Sequence, residues 1–137
     1  LEIKLNSYIF KSANKNNTII FHNSSNNRKI KILKRKGITL IKFKVDNKKL
    51  FNLKTILKKL FVLGVRNLLV EGGDKITKNL IQNRLIDKFY LFKSPKNLLI
   101  SKEHMKFTSF STLNTKYKIK TRISPKLAKD NITIYKR

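Results

Sequence analysis

Cysteine and tryptophan are absent from this chain, and glycine (4), proline (2) and methionine (1) are scarce. Without cysteine there is no disulfide framework and no thiolate metal site, and the redox compartment stays open. With so few glycines and prolines, most turns fall to asparagine, serine and aspartate. Acidic residues number only 7, and no two of them stand at the spacing of a catalytic carboxylate pair. The 2 histidines belong to no Ser/His/Asp set and to no metal-ligating cluster, so a metal site is not expected. No apolar run is long enough to cross a bilayer, and the first residues lack the charged-then-apolar layout of a signal peptide. A length of 137 residues suits one domain with a modest core. The chain opens on Leu1 inside a strand-like LEIKL, as expected of a fragment or a processed product.

What is abundant is positive charge. Lys and Arg total 33, giving a formal net charge of +26. At face value this is the footprint of a nucleic-acid binder. The lysines are nevertheless spread along every element, beside abundant asparagine and isoleucine, the mixture that A/T-rich coding drives into tolerant surface positions. No arginine-rich arm, zinc-ligand spacing or aromatic strand of the RNA-binding kind accompanies them. The expectation is a solvated cationic surface that binds polyanions only non-specifically and with strong salt dependence.

Along the chain, Leu1–Leu5 alternates as a half-buried strand or extended lead-in would, and Asn14–Asn17 reads as a turn. Thr18–Phe21 is a short apolar strand, and residues 22–27, HNSSNN, form a polar loop after it. A basic helix over Arg28–Lys36 ends at Gly37, and Ile38–Phe43 is the next strand. Asn52 is the N-cap of a helix whose apolar stripe is Leu53, Ile56, Leu57, Leu60 and Phe61, with Gly64 closing it. A buried strand follows within Val65–Val70, then Glu71, the glycine pair Gly72-Gly73, a helix from Asp74 to about Asn83, and a strand over Lys88–Phe92. Alternation of strand and helix with short links predicts right-handed crossovers and a largely parallel sheet. After Pro95 the pattern changes: Lys102–Leu113 is polar and poorly periodic, with His104 solvated in it. Tyr117–Ile123 and Asn131–Tyr135 alternate strictly around a turn at Ser124-Pro125, as an antiparallel hairpin at the sheet edge would.

The organising stretch is Leu68–Pro95, LLVEGGDKITKNLIQNRLIDKFYLFKSP. A glycine pair between a strand and a helix lets backbone N–H groups approach a ligand, and a helix N-terminus favours an anion. Val70-Glu71-Gly72-Gly73, a helix with Ile76, Leu80 and Ile81 apolar, Leu85-Ile86-Asp87, and Pro95-Lys96 together resemble the C-terminal reductase domain of the bacterial riboflavin-biosynthesis deaminase–reductase. Lys88 stands where that family has an acidic residue, and Asn97–Ile100 lacks its closing glycine.

The resemblance implies an α/β, dihydrofolate-reductase-like three-layer sandwich with a mostly parallel sheet and a C-terminal antiparallel hairpin. It implies NADPH as cofactor, and reduction of the ribosyl group of 5-amino-6-(5-phosphoribosylamino)uracil to the ribityl form. Glu71 would face the substrate, while Gly72, Gly73, Asp74, Lys75, Ile76, Thr77, Lys78 and Asn79 would contact the cofactor, mostly through backbone N–H groups. For Glu71 the competing role is an acidic helix cap or ion-pair partner. For the side chains of Lys75 and Lys78 it is a solvated face. In such folds a loop placed like Asn23-Ser24-Ser25 lies near the adenosine end of the cofactor, whereas His22 reads as a strand-end residue. No catalytic residue is assigned. The family pairs through its reductase domains, which implies a cytoplasmic homodimer with no membrane partner. Its further N-terminal strands, and the deaminase domain that often precedes them with His-x-Glu and Pro-Cys-x-x-Cys, have no match here. Residues 1–137 are therefore expected to be the C-terminal part of a single reductase domain, incomplete at its N-terminus and inactive alone. Another dihydrofolate-reductase-like NADPH reductase and a basic nucleic-acid-binding module are the alternative readings.

Overall fold

Three helices of this chain end in the same way, with the residue after the C-cap in the left-handed region, and those endings shape both halves of the structure. The computed structural model describes residues 3–14, 17–94, 107–123 and 130–137. They form two compact units, Leu1–Gly64 and Val65–Arg137.

In the first unit a short helix α1 (Tyr8–Ser12) is capped by the Ser7 hydroxyl, which accepts from the Phe10 N–H at 3.3 Å. Strand β1 (Ile19–His22), helix α2 (Asn27–Arg35) and strand β2 (Thr39–Lys42) make a β-α-β crossover. The strands pair in parallel, from Ile19 opposite Thr39 to His22 opposite Lys42. Asn26 caps α2 through its side-chain oxygen and the Lys29 N–H, 3.0 Å apart. Its far end closes with Ile38 N–H on the Leu33 carbonyl and Gly37 N–H on the Lys34 carbonyl, Gly37 having φ 85°. This turn drops Ile38 beside Leu33 and Ala13 in a small core, with Ile3, Phe10, Ile20 and Leu40 packed around it. Phe21 and Phe43 meet edge to face with centroids 5.4 Å apart. A tight turn centred on Asp46, whose carboxylate accepts the Lys48 and Leu50 N–H groups, leads to helix α3 (Leu53–Val62). Asn52 caps α3 as expected, and Gly64 at φ 91° ends it.

In the second unit helix α4 (Asp74–Gln82) is followed by strand β3 (Lys88–Lys93), helix α5 (Phe110–Lys116) and strands β4 (Ile119–Ile123) and β5 (Asn131–Lys136). The sheet order is β3-β5-β4, antiparallel throughout. Its inner face joins Ile81 of α4, Leu113 of α5, Tyr117 and Tyr135 in one buried cluster, flanked by Ile86, Phe89 and Leu91. The buried rings also satisfy their hydroxyls: Tyr117 Oη accepts from the Ile86 N–H, and Tyr135 Oη donates to Asn114 Oδ1 at 3.2 Å. Helix α4 ends with Leu85 N–H on the Leu80 carbonyl and Arg84 N–H on the Ile81 carbonyl, the ending seen in α2. Here the left-handed position, φ 52°, belongs to Arg84 rather than glycine, at a cost of roughly 1 kcal/mol.

The α/β class, the caps at Asn52 and Gly37, the α2 and α4 helices, the strands at 19, 39 and 88, and the terminal hairpin are as the sequence predicts. Several details differ. The largely parallel sheet is reduced to the β1–β2 pair, because Val65–Val70 forms no strand. A strand exists only by exchanging backbone hydrogen bonds with a neighbour, and none of the described strands pairs with this segment. Leu68, Leu69 and Val70 are accordingly exposed rather than buried. Ile3–Leu5 likewise forms no strand, bending instead into α1. The α3 stripe is half-buried, and Phe61 is 59% exposed. Helices α1 and α5 are absent from the sequence reading. The Pro95-Lys96 match, Asn97–Ile100, His104 and the Ser124-Pro125 turn lie outside the described residues.

Ile81 is fully buried where α4, α5 and the sheet meet. Ile81→Ala is therefore expected to cost about 2–5 kcal/mol in a urea titration followed by circular dichroism. A loss below about 1 kcal/mol would show that this cluster does not hold the unit.

Candidate functional site

The glycine pair sits where the extended segment turns into α4, and neither glycine is demanded by the backbone. Of the glycines only Gly37 and Gly64 have positive φ, while Gly73, the N-cap of α4, has φ −64° and ψ 169°, a conformation open to any residue. The atoms nearest to a Cβ on Gly72 would be those of the Ile76 side chain, at 3.4–3.5 Å, which is ordinary contact. Backbone conformation thus gives no reason for glycine at either position, and packing gives none at Gly72. What they leave is uncovered backbone at a helix start.

No side chain caps that start. The Gly73 carbonyl accepts from the Ile76 and Thr77 N–H groups at 3.1 and 3.2 Å, so the N–H groups of Asp74 and Lys75 are without a partner among the described residues. The Thr77 hydroxyl reaches back to the Gly72 carbonyl at 3.3 Å and ties the glycine turn to the helix. Free amides, the helix dipole and the lysines at 75 and 78 all favour an anion here.

Asp74 is the one negative group within the helix start, and its carboxylate is committed elsewhere. Oδ2 accepts from the Thr108 hydroxyl at 2.6 Å, and Oδ1 accepts from the Thr108 N–H at 3.1 Å and the Ser109 hydroxyl at 3.5 Å. Ser109 is 1% exposed and is the N-cap of α5. The carboxylate therefore staples the first turn of α4 to the start of α5. The Thr108 hydroxyl, with smaller help from the Thr108 N–H, Ser109 and Lys78, holds Asp74 below the usual carboxylate range. Its expected place among the cofactor contacts is then a backbone one only.

The other expected residues divide. Gly72, Gly73, Lys75, Thr77 and Lys78 share the first turns of α4 with the free amides, and Ile76 is 47% exposed beside them. Asn79 does not join them: its side chain and carbonyl accept from Asn83, one turn further along the helix. Glu71 is exposed, neither caps α4 nor pairs with a cation among the described residues, and leads directly into the glycines. In the first unit, His22 is buried, and its Nδ1 accepts from the Ser24 N–H at 3.2 Å. The Ser24 hydroxyl accepts in turn from the Asn26 N–H, so this loop is organised by its own turn chemistry, with Asn23 and Ser25 exposed. His22 is structural, as its strand-end position predicts. Thr108 and Ser109 escaped the sequence reading. The signal was the spacing of Phe110, Leu113 and Tyr117, which marks a helix just after a Thr-Ser cap.

Comparison with known proteins adds three findings. The family model described as "RibD C-terminal domain" matches residues 1–119. A curated relative, the riboflavin biosynthesis protein RibD of Aquifex aeolicus, is 37% identical over 70 residues, which are 51% of this chain and 18% of that protein. Among solved structures, Acinetobacter baumannii RibD (form 2) superposes with a TM-score of 0.70 at 17% identity, over 98% of this chain and 34% of that one. The chain thus spans about a third or less of the length of these proteins.

The Asp74 staple gives a pH signature. A folded-state pKa below the unfolded one contributes stability above the unfolded value and loses it as pH falls through the folded one. Wild type should exceed Asp74→Asn in thermal stability near neutral pH, with the gap closing below about pH 4. A gap independent of pH would show that the carboxylate charge plays no part.

Proposed function

The chain belongs to the RibD C-terminal domain family, and we propose that it is the reductase portion of a riboflavin-biosynthesis enzyme that uses NADPH. The reaction is reduction of the ribosyl group of 5-amino-6-(5-phosphoribosylamino)uracil to the ribityl form. The observation that carries this reading is the uncapped start of α4, entered through two glycines that backbone conformation does not require.

The residues present fit the anionic part of such a cofactor. The Asp74 and Lys75 amides would donate to its phosphates, Gly72 and Gly73 would let the phosphates reach the backbone, and Lys75 and Lys78 would balance their charge. The staple to Thr108 and Ser109 turns the carboxylate on the helix itself aside from that approach. Glu71, without a partner among the described residues and placed just ahead of the glycines, would accept hydrogen bonds from substrate hydroxyls. When bound, the cofactor supplies a hydride, and the protein's part is to orient it against the sugar carbon. The remaining contacts belong to the longer enzymes, of which this chain matches a part. A cytoplasmic homodimer with no specific nucleic-acid partner completes the proposal.

Gly73→Val separates the readings, since valine is compatible with the Gly73 backbone. In a fluorescence titration at moderate salt the wild-type chain should bind NADPH saturably and the variant at least tenfold more weakly, with an unchanged circular dichroism spectrum. Equal binding by both, abolished by salt, would instead indicate a non-specific cation.

A further inference from the structure

At the other end of α4, roughly 13 Å away by helix rise, a hollow of about 380 Å³ opens in the second unit. Arg84, Lys116, Lys118, Lys136 and Arg137 line it, and no acidic side chain does. Five of its eight lining residues are cationic, against 33 of 137 in the whole chain, so the hollow is enriched beyond the general basic surface. Its volume falls in the range of small-ligand sites, about 300–1,000 Å³, and exceeds what one phosphate would fill.

Two features of the fold bring cations to this hollow. Lys116 donates from Nζ to the Gln82 carbonyl, which anchors one ammonium of α5 at the last turn of α4. Arg84 occupies the left-handed position that closes α4, where the equivalent endings of α2 and α3 use Gly37 and Gly64. A glycine there would relieve backbone strain, and the arginine instead brings a guanidinium to the hollow. The side chains of Arg84, Lys118, Lys136 and Arg137 have no hydrogen-bond partner among the described residues. Lys88 lies directly opposite Lys136 in the sheet, adding like charge that opposes folding unless a counter-ion relieves it.

We propose that this hollow is a binding site for a linear oligophosphate, either a free chain or the tail of a small organic phosphate. Convergent cations without an acidic side chain among them select a multiply charged anion, and Arg84 and Arg137 provide planar forks for phosphate oxygens. A single-stranded nucleic acid fits less well. The only aromatic residue in the lining, Tyr117, is 1% exposed and offers no stacking surface.

The test is calorimetric titration of the full chain with inorganic tripolyphosphate at physiological salt. One saturable site is expected, weakened at least fivefold by Arg84→Gly without loss of thermal stability. Lys118→Gln with Lys136→Gln should weaken it tenfold or more. Lys54→Gln with Lys58→Gln, which removes the same charge from exposed positions of α3, should change it less than twofold, as should Gly73→Val. Tighter binding of adenosine triphosphate than of tripolyphosphate, lost in the same variants, would identify the tail of an organic ligand; equal or weaker binding would identify the free chain. The proposal is overturned if both lysine pairs weaken binding equally, or if no saturable site exists. It is also overturned if Gly73→Val removes the site, or if a single-stranded oligonucleotide binds more tightly through the same residues.

Discussion

A net charge of +26 sets the terms on which this chain folds. Self-repulsion opposes every compact state, and with only 7 acidic residues ion pairs cannot offset it. Among the described residues cohesion rests on two small apolar clusters, Ala13–Leu33–Ile38 in one unit and Ile81–Leu113–Tyr117–Tyr135 in the other. Small clusters tolerate little misplacement, so the helices around them are fixed at their ends by specific hydrogen bonds. Asn26 and Asn52 cap two helices, and Gly37 turns Ile38 into the first core.

Under such a charge excess the few carboxylates take on defined tasks. Asp46 organises the turn before α3 through two backbone amides. Asp74 staples α4 to α5 and, by the same hydrogen bonds, is withdrawn from the uncapped helix start. One residue thus serves the packing of the unit and the electrostatics of the proposed cofactor site. Glu71 is left beside the glycines without such a task. The two ends of α4 also contrast: glycines stand at its start where the backbone angles require none, and an arginine stands at its close where glycine is favoured. Where a residue departs from what local folding asks, a ligand is the natural source of the demand.

Much of this was legible from local signals. The caps at Asn52 and Gly37 are written in residue type and position, and the strict alternation of Tyr117–Ile123 and Asn131–Tyr135 marked the hairpin. The VEGG step and its helix were legible too, and they carried the family resemblance before any geometry. The VEGG strand itself was not. LLV has strand composition, but strandhood depends on a partner, and none of the described strands pairs with it. Helix α5 was hidden because seven residues with three polar hydroxyls show almost no period, although Phe110, Leu113 and Tyr117 share a face.

What the sequence determined by itself, then, is whatever depends on neighbours within a turn or two: caps, helix stops, alternation and the glycine step. Those are short-range effects of side-chain hydrogen bonds and backbone sterics, already complete in a stretch of a few residues. Only the tertiary structure decided the pairing of β3 with β5, the loss of the expected strand at Val65–Val70, and the turning of the Asp74 carboxylate toward Thr108. It also decided the convergence of Arg84 with Lys118 and Lys136 on one hollow. Each of these joins residues more than 30 positions apart or depends on a partner strand, and no local pattern encodes which distant group will be there.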